Sequence, residues 1–551
     1  MSRATPRGLA RRPLALLALM LAVLAVTPAA PAAAHAALES STPAANAVLT
    51  SSPPQIALDF DERVETGLTT ISLFDGDGRA VDIGAPQQGS DNTRVEATVP
   101  KLDDGLYAVV WHVVSADGHP VDGAFAFQIG TRATGDAEAL LEQVRTAGAS
   151  ARSSWVAGVA RFASLAGFVL VAGAGWWALR RPARLFTQRR VRLAVAAGAG
   201  LFVAGALAAF LSFAAQAGDG SFATAWSPSA WGDVVGTTPG LMLLIRVVAA
   251  AVLAVVVARP ARRAAAGGAG GAGALMPIAA VAVAVAALSF PMSGHPNALT
   301  PRAVWILVDA LHLLAVTAWL GGLVVLALCR ADTLDEPEVH RLARTFSGVA
   351  TAAIPLALVT GVAHAWRLSG GVAHLTDTTW GDLLLVKVAV VLVVLGLAAW
   401  ARRRLRGGGA GAVRRTVRTE LAAGLVILGL TAALAGEPPR VPVPSRPYDE
   451  TLAGSGVIAS VSISPGRVGA NEMHVLLTPP GGSITPIAGL AVRVSLPSAG
   501  IPPSPGTVIP EGPNHFSGTV TFTEPGEWTV EFVVQVTDTQ SALLKATVSI
   551  P

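Results

Sequence analysis

Three residues in the N-terminal part of the chain carry atoms that could bind one metal ion. His35 follows a run of alanines, and Asp117 and His119 flank a single glycine further along the chain. Two nitrogens from His35, a carboxylate oxygen from Asp117 and an imidazole nitrogen from His119 would make a tetragonal N/O ligand set, which favours Cu(II). An isolated Asp-Gly-His sequence is also typical of a turn with a solvated histidine. The residues alone leave both interpretations open.

The α-amine of His35 becomes a ligand only if the chain is cut before it. Residues 1–34 contain four arginines, an apolar run from Leu14 to Val26 and a run of small residues that ends at Ala34. The apolar run is shorter than the roughly 20 residues that a spanning helix needs, and an Ala-x-Ala pattern precedes His35, as in a secretory signal peptide. An uncleaved anchor is the alternative, and it would remove the amine from the site.

A second set of candidate ligands lies in the apolar part of the chain. Asp309 and His312 are three residues apart and therefore share one helical face, and His295 ends the run Met292-Ser293-Gly294-His295. Ionisable groups in lipid are costly and usually face the interior of a helix bundle. We expect His295, Asp309 and His312 to converge near the outer surface of the bundle in a functional role. A structural Asp/His hydrogen bond between helices is the alternative.

The elements that position this second set are predicted to cross a membrane. Hydrophobic residues make up 52% of the 551 residues and charged residues 14%, a balance typical of multi-span membrane proteins. Eight apolar stretches, each near the length that crosses a bilayer, predict an eight-helix transmembrane bundle: 155–179, 191–214, 240–258, 273–291, 304–328, 346–367, 381–401 and 418–436.

Arginine clusters indicate how this bundle is oriented. They follow the first, third, fifth and seventh stretches, and cytoplasmic loops are enriched in Lys and Arg. The N-terminal and C-terminal parts are then both extracytoplasmic, in a multi-pass protein of the cell (inner) membrane. The basic residues lie between apolar segments and no P-loop occurs, so neither nucleic acid nor nucleotide is an expected partner.

Short alternating runs separated by Gly, Pro and Asp predict a β domain before the bundle and another after it. The predicted order is a signal peptide at 1–34, an all-β domain at 35–132, a linker at 133–153, the transmembrane domain at 154–437, a proline-rich linker at 438–453 and a β-sandwich at 454–551. Met473, His474 and His515 in the last domain could bind metal, but strand or surface roles are favoured. Cys329 is the only cysteine, which excludes a cysteine-based metal cluster.

Two motifs of the first β domain resemble the CopC family of extracytoplasmic copper-binding proteins. They are the start His35-Ala36-Ala37-Leu38-Glu39-Ser40-Ser41-Thr42-Pro43 and the loop Val114-Ser115-Ala116-Asp117-Gly118-His119-Pro120. The resemblance implies a cupredoxin-like β-barrel that binds Cu(II) through His35, Asp117 and His119. Some CopC members also hold Cu(I) in a Met-rich loop. This segment contains no methionine, so only the Cu(II) site is expected.

Residues 155–436 resemble the CopD family of membrane proteins, which is implicated in copper transport across the inner membrane. The resemblance implies that His295, Asp309 and His312 line a copper path, with Met292 as a soft ligand that suits Cu(I). The motifs that carry it are weaker than those of CopC. Copper, lipid and an extracytoplasmic copper donor or acceptor are therefore the expected partners.

These features predict a copper homeostasis protein rather than an enzyme. It would bind Cu(II) outside the membrane and move copper across it, with import as the expected direction. Copper efflux or resistance without import is one alternative, and a haem-containing membrane oxidoreductase that uses His312 and His364 is another. A copper monooxygenase acting on polysaccharides is a third, but the fused bundle and the loop residue Asp117 argue against it.

Overall fold

The computed structural model of this chain describes residues 36, 38–45, 47–89, 92–130, 137–148, 154–180, 185, 188–217, 224–265, 275–329, 336–369, 375–376, 378–405, 410–439, 448–454, 456–464, 466–478, 487–512, 514–537 and 539–550. The chain forms two compact units. The helical unit includes residues 116–120 and 150–441, and the β unit includes residues 36–115, 121–149 and 442–551. The predicted signal peptide, 1–34, and His35 lie outside the described residues.

The N-terminal part of the β unit consists of two sheets with a core between them. Its strands are β1 (Leu38–Thr42), β2 (Val48–Leu49), β3 (Gln55–Phe60), β4 (Thr70–Asp75), β5 (Ala80–Val81), β6 (Gln87–Gln88), β7 (Arg94–Thr98), β8 (Gly105–Val114) and β9 (Pro120–Ile129). The sheet orders are β1-β3-β7-β6 and β2-β9-β8-β4-β5. Ile56, Leu58, Leu73 and Val109 are fully buried between the sheets. The predicted all-β domain is confirmed, and its cupredoxin-like detail stays a prediction.

A helix follows β9 within the segment that we predicted to be a linker. This helix, α1 (Ala137–Gly148), buries Leu140 and Val144 against Leu106 and Ala108 of β8. The two helix residues are four apart and therefore lie on one face. The predicted linker at 133–153 thus contains a packed element.

The C-terminal part of the β unit is a second pair of sheets. Its strands are β10 (Tyr448–Gly454), β11 (Val457–Ser464), β12 (Gly469–Thr478), β13 (Gly489–Leu496), β14 (Ile501–Pro505), β15 (Thr507–Gly512), β16 (His515–Phe522), β17 (Gly526–Thr537) and β18 (Gln540–Ile550). The sheet orders are β10-β11-β12-β16-β15 and β14-β13-β17-β18. Trp528, Phe532 and Val461 lie in the common core.

The predicted boundary at residue 454 needs correction. Strand β10 lies almost entirely within the predicted linker at 438–453, yet it pairs with β11 along its whole length. The strand can begin at Tyr448 because the last proline of the linker is Pro447, and proline cannot donate a ladder hydrogen bond.

The helical unit consists mainly of long apolar helices. They are α2 (154–180, with a π-helical segment at Val169–Ala174), α3 (Arg189–Ala217), α4 (Pro228–Val235), α5 (Thr238–Ala265), α6 (Met276–Met292), α7 (Arg302–Leu328), α8 (Glu336–Ser369), α9 (Thr379–Leu405) and α10 (Ala410–Leu434). Within the described residues, seven helices are long and apolar enough to cross a membrane, and α6 is a shorter apolar helix of 17 residues. The predicted fourth span coincides with α6, so the total of eight stays a prediction.

The outer faces of these helices are apolar. Val255, Val281, Leu307 and Leu392 are among the exposed residues, and soluble monomers rarely expose extended apolar patches. A lipid environment removes this cost, because each helix satisfies its own backbone hydrogen bonds. The helices therefore indicate a multi-pass membrane protein.

A close backbone contact joins α2 to α7. A Cβ on Gly321 would lie 2.3 Å from the Gly173 carbonyl carbon and 2.6 Å from the Ala174 nitrogen. Backbone cannot yield as a flexible side chain can, so we expect Gly321→Ala to destabilise the helical unit by about 2 kcal/mol or more. Thermal unfolding of the purified protein in detergent measures this. Gly200→Ala is the matched control, because a Cβ on that helical glycine meets nothing within 4 Å; equal unfolding temperatures for the two variants would contradict the prediction.

Candidate metal site

Residues 115–119 form the loop that joins β8 to β9, and residues 116–120 belong to the helical unit. The side-chain amide of Asn297 donates a hydrogen bond to the Ala116 carbonyl. Gly118 has a φ of 86°, a conformation that costs other residues about 1–2 kcal/mol. A Cβ at this position would also lie 3.1 Å from the ring of Pro239. The glycine therefore allows the tight turn that presents Asp117 and His119.

Asp117 lies between two histidines from distant parts of the chain. Its Oδ1 is 3.1 Å from Nδ1 of His119 and accepts a hydrogen bond from the His119 backbone N–H. Its Oδ2 is 3.8 Å from Nε2 of His295. The two imidazole rings are 4.9 Å apart, with 25° between their planes. The structure therefore brings His295 into the same group as Asp117 and His119.

This group has dimensions that suit a metal ion. One ligand atom from each residue lies within 4.8 Å of the other two. With metal–ligand distances of about 2.0–2.2 Å, the ligand atoms around one ion are about 3–4 Å apart, so small side-chain rotations would close the group. Asp117 is only 1% exposed, and a buried carboxylate is costly unless it is paired or coordinates a metal.

Arg246 fixes the chain segment that carries His295. Helix α6 ends at Met292, and His295 begins a 3₁₀ turn that ends at Asn297. The buried guanidinium of Arg246 donates to Ser289 Oγ (3.0 Å), to the Ser289 carbonyl (2.7 Å) and to Ser293 Oγ (2.6 Å). In the sequence, Arg246 is a charge within an apolar stretch. Its contacts show that it caps the C-terminal turn of α6.

The other predicted membrane residues form a second, inner cluster. Asp309 Oδ1 on α7 is 3.1 Å from Nδ1 of His364 on α8. His312 Nδ1 donates to the Ala357 carbonyl (2.9 Å) and lies 3.1 Å from Thr360 Oγ1. In the sequence, His364 was named only as a possible haem ligand together with His312. Its position near the outer end of the sixth apolar stretch was the only signal for this role.

One cavity of about 290 Å³ is lined by residues of both groups. Asp117, His119 and His295 line it, and so do Asp309, His312 and His364. Arg246 and Lys387 also line it. Met292 is half-buried at the end of α6 and is not among the described residues that line this cavity.

Comparisons with known protein families match most of the chain. Residues 38–130 match the CopC domain, residues 152–300 the N-terminal domain of copper resistance protein D-like proteins, and residues 340–434 copper resistance protein D. The chain belongs to the CopC–CopD family. The CopC match lies within the segment predicted from the two CopC-like motifs, and the two CopD matches lie within or beside the predicted bundle.

Individual relatives support this membership. Copper transport protein CutJ of Bacillus subtilis (strain 168) is 28% identical over 458 residues, which are 81% of this chain and 82% of the relative. Protein YobA of Escherichia coli (strain K12) is 36% identical over 99 residues, 17% of this chain and 79% of the relative. Copper resistance protein C of Pseudomonas syringae pv. tomato is 32% identical over 103 residues, 17% of this chain and 81% of the relative. The CopC–CopD chain is thus a member of a copper transport and resistance family.

Proposed function

We propose that this chain binds Cu(II) outside the cell membrane and delivers copper inward across it. The observation that carries the proposal is the group of Asp117, His119 and His295 at a cavity that is also lined by Asp309, His312 and His364. The first group serves as the capture site, and the second group is the next copper-binding site along the path. The name of the relative CutJ as a copper transport protein supports the same function.

The capture site has the chemistry that Cu(II) prefers. Two imidazoles and one carboxylate supply N and O ligands, and such sites bind Cu(II) more tightly than other divalent first-row ions. In the proposal, the amine and imidazole of His35 complete the set after removal of residues 1–34. The ligands need to lose few protons at neutral pH, because free imidazole has a pKa of about 6.5 and an α-amine about 7.7–8.0.

The inner cluster offers two nitrogens whose orientation is already fixed. His312 donates through Nδ1 to a carbonyl, so its Nε2 carries the lone pair. Nε2 of His364 is buried and has no hydrogen-bond partner among the described residues, while its Nδ1 faces Asp309. The Nδ1 of each imidazole thus contacts a carbonyl or a carboxylate, as is usual for a metal-binding histidine, and this contact fixes the orientation of the ring.

The inner ligands do not require a change of oxidation state. Imidazole and carboxylate accept Cu(II) as the capture site does, so passage between the two groups needs no electron. We predicted Cu(I) here on the basis of Met292, the one soft ligand of that set. Because Met292 does not line the cavity in the described part of the chain, the proposal moves copper between the two groups as Cu(II).

The positions of the arginines support an outward-facing capture site. Basic residues lie at the start of α3 (Arg189, Arg190), near the end of α5 (Arg259, Arg262) and near the start of the membrane part of α8 (Arg341, Arg344). Such residues mark the cytoplasmic ends of helices. His295 lies at the opposite end of the bundle, between α6 and α7. Both β domains are then extracytoplasmic in the proposal.

Copper content of cells tests the direction of transport. We expect deletion of this chain to lower cell copper several-fold under copper limitation, and we expect its restoration to reverse the loss, measured by mass spectrometry of washed cells. Deletion of an import protein removes an entry route, whereas deletion of an exporter raises retention. Increased copper on deletion would replace import by efflux, and unchanged copper content would refute transport.

A further inference from the structure

Two histidines of the C-terminal β domain meet on the outward face of one sheet. His474 lies in β12, where buried and outward residues alternate, and His515 lies in the adjacent β16. In the strand register His474 faces Ser517, and His515 faces Leu476, two residues further along β12. The histidines are therefore diagonal neighbours across an antiparallel pair, a spacing that ring side chains can bridge.

The imidazoles present one nitrogen each to a common point. His474 Nδ1 is 3.5 Å from His515 Nε2. With metal–nitrogen distances of about 2.0–2.1 Å, nitrogens 3.5 Å apart subtend an angle of about 115° at a shared ion, near the tetrahedral value. The hydrogen bond between the rings holds a proton where the ion would lie. Metal binding therefore requires the tautomer of His515 that carries this proton on Nδ1 and leaves the lone pair on Nε2.

A carboxylate orients the first of these rings. Glu472, two residues before His474 on the same face of β12, has its Oε1 3.2 Å from His474 Nε2. Glu472 accepts a hydrogen bond from the Nε2–H of His474, so Nδ1 of that ring carries the lone pair that faces His515. In metal sites, the ring nitrogen of a histidine that does not bind the ion commonly donates a hydrogen bond to a carboxylate.

The second ring, that of His515, is buried. His515 is 9% exposed, and burial together with neighbouring His474 lowers the pKa of His515, while Glu511 acts in the opposite direction. Glu511 accepts a hydrogen bond from Ser517 Oγ at 2.7 Å. Among the described residues, Glu472 and Glu511 are the carboxylates beside the pair.

We propose that His474 and His515 form a second transition-metal site, oriented by Glu472 and separate from the CopC and CopD ligands. Imidazole ligands suit Cu(II), Zn(II) and Ni(II), and the general order of affinity places Cu(II) first. The site gives the C-terminal domain a role as an extracytoplasmic copper store. It lies on the sheet that contains Ser462, whose Oγ donates a hydrogen bond to the Ala45 carbonyl of the N-terminal β domain. Arg467, in the loop before β12, pairs with Glu39 of the same domain.

Copper binding to the full-length protein in detergent tests this site. The starting variant combines Asp117→Asn, His119→Gln, His295→Gln, His312→Gln and His364→Gln, so that the capture site and the inner cluster are both weakened. Cu(II) is titrated against a competing chelator, and electron paramagnetic resonance counts the coordinated nitrogens. We expect this variant to retain a Cu(II) site with two imidazole nitrogens. Further substitution His474→Gln or His515→Gln should weaken that binding at least tenfold, and Glu472→Gln about tenfold.

The controls separate ligation from folding. Thr521→Ala changes an exposed residue on the same face of β16 and should leave the affinity unchanged. His474 is less buried than His515, so its variant is expected to fold even if His515→Gln does not; thermal unfolding of each variant checks this. The proposal is wrong if His474→Gln binds Cu(II) with the affinity of the starting variant, or if the starting variant shows no nitrogen-coordinated copper. Neither result would affect the capture site.

Discussion

Replacement of Asp117 by asparagine is expected to weaken Cu(II) binding by the full-length protein at least about 100-fold, equivalent to about 2.7 kcal/mol. The substitution removes the only charge that lies between His119 and His295 in the candidate group. Asparagine keeps the size of the side chain and an oxygen that can accept from the His119 backbone N–H. The loss should therefore come from ligation rather than from loop structure. Competition titration against a chelator of known copper affinity measures it.

A second variant tests the part of the site that only the fold reveals. His295→Gln should weaken Cu(II) binding about tenfold or more, because it removes an imidazole whose Nε2 lies 3.8 Å from Asp117 Oδ2. A site made by His35, Asp117 and His119 alone would not respond to this change. Equal Cu(II) affinities for the variant and the parent protein would exclude His295 from the capture site.

Asp122→Asn provides the matched control for Asp117. Asp122 belongs to the same β domain and pairs with His112 at 2.6 Å, but its side chain is half exposed. Its removal should leave Cu(II) affinity unchanged. If Asp122→Asn and Asp117→Asn lower the affinity equally, copper binding depends on the general charge of the domain rather than on the proposed ligands.

The β strands could be predicted well because their signal is local. The alternating runs at 55–60 and 457–464 form β3 and β11, since alternation of apolar and polar residues reports directly which face of a strand is buried. Strands β14 and β15 were missed. They are largely exposed and rich in proline, so their sequences lack that alternation. Helix α1 lies in the segment that we predicted to be a linker, because residues 133–153 are polar and rich in alanine; its buried residues Leu140 and Val144 lie on one face.

The candidate site was only partly predictable. Asp117 and His119 are neighbours in sequence, and their spacing was sufficient to propose a shared ion. No local sequence pattern indicated that His295 lies near Asp117. The two segments are joined by the hydrogen bond between Asn297 and Ala116, which are 181 positions apart in the sequence.

Arg246 illustrates the same limit. Its hydrogen bonds to Ser289 and Ser293 depend on the packing of α5 against α6, whereas the sequence showed only a charge within an apolar run.

Replacement of Asp309 by asparagine is expected to abolish most copper transport and to leave Cu(II) capture intact. Asp309 faces Nδ1 of His364, and loss of a carboxylate that supports a ligand histidine typically costs about 10–100-fold in metal affinity or activity. Here the same carboxylate is also a candidate ligand, so the upper end of that range is expected. Uptake of copper into liposomes that contain the purified protein and an internal copper-sensitive dye gives the transport rate, and the chelator titration gives the capture affinity.

The two aspartate variants together distinguish a path from a single site. Asp117→Asn should lower both capture affinity and transport at low copper, whereas Asp309→Asn should lower transport alone, because each carboxylate lies in a different group of the same cavity. Asp382→Asn is the control for a carboxylate on a membrane helix, since Asp382 is exposed in the first turn of α9, and it should transport at the normal rate. Normal transport by Asp309→Asn would remove the inner cluster from the copper path and leave the Asp309–His364 pair as a structural contact between α7 and α8.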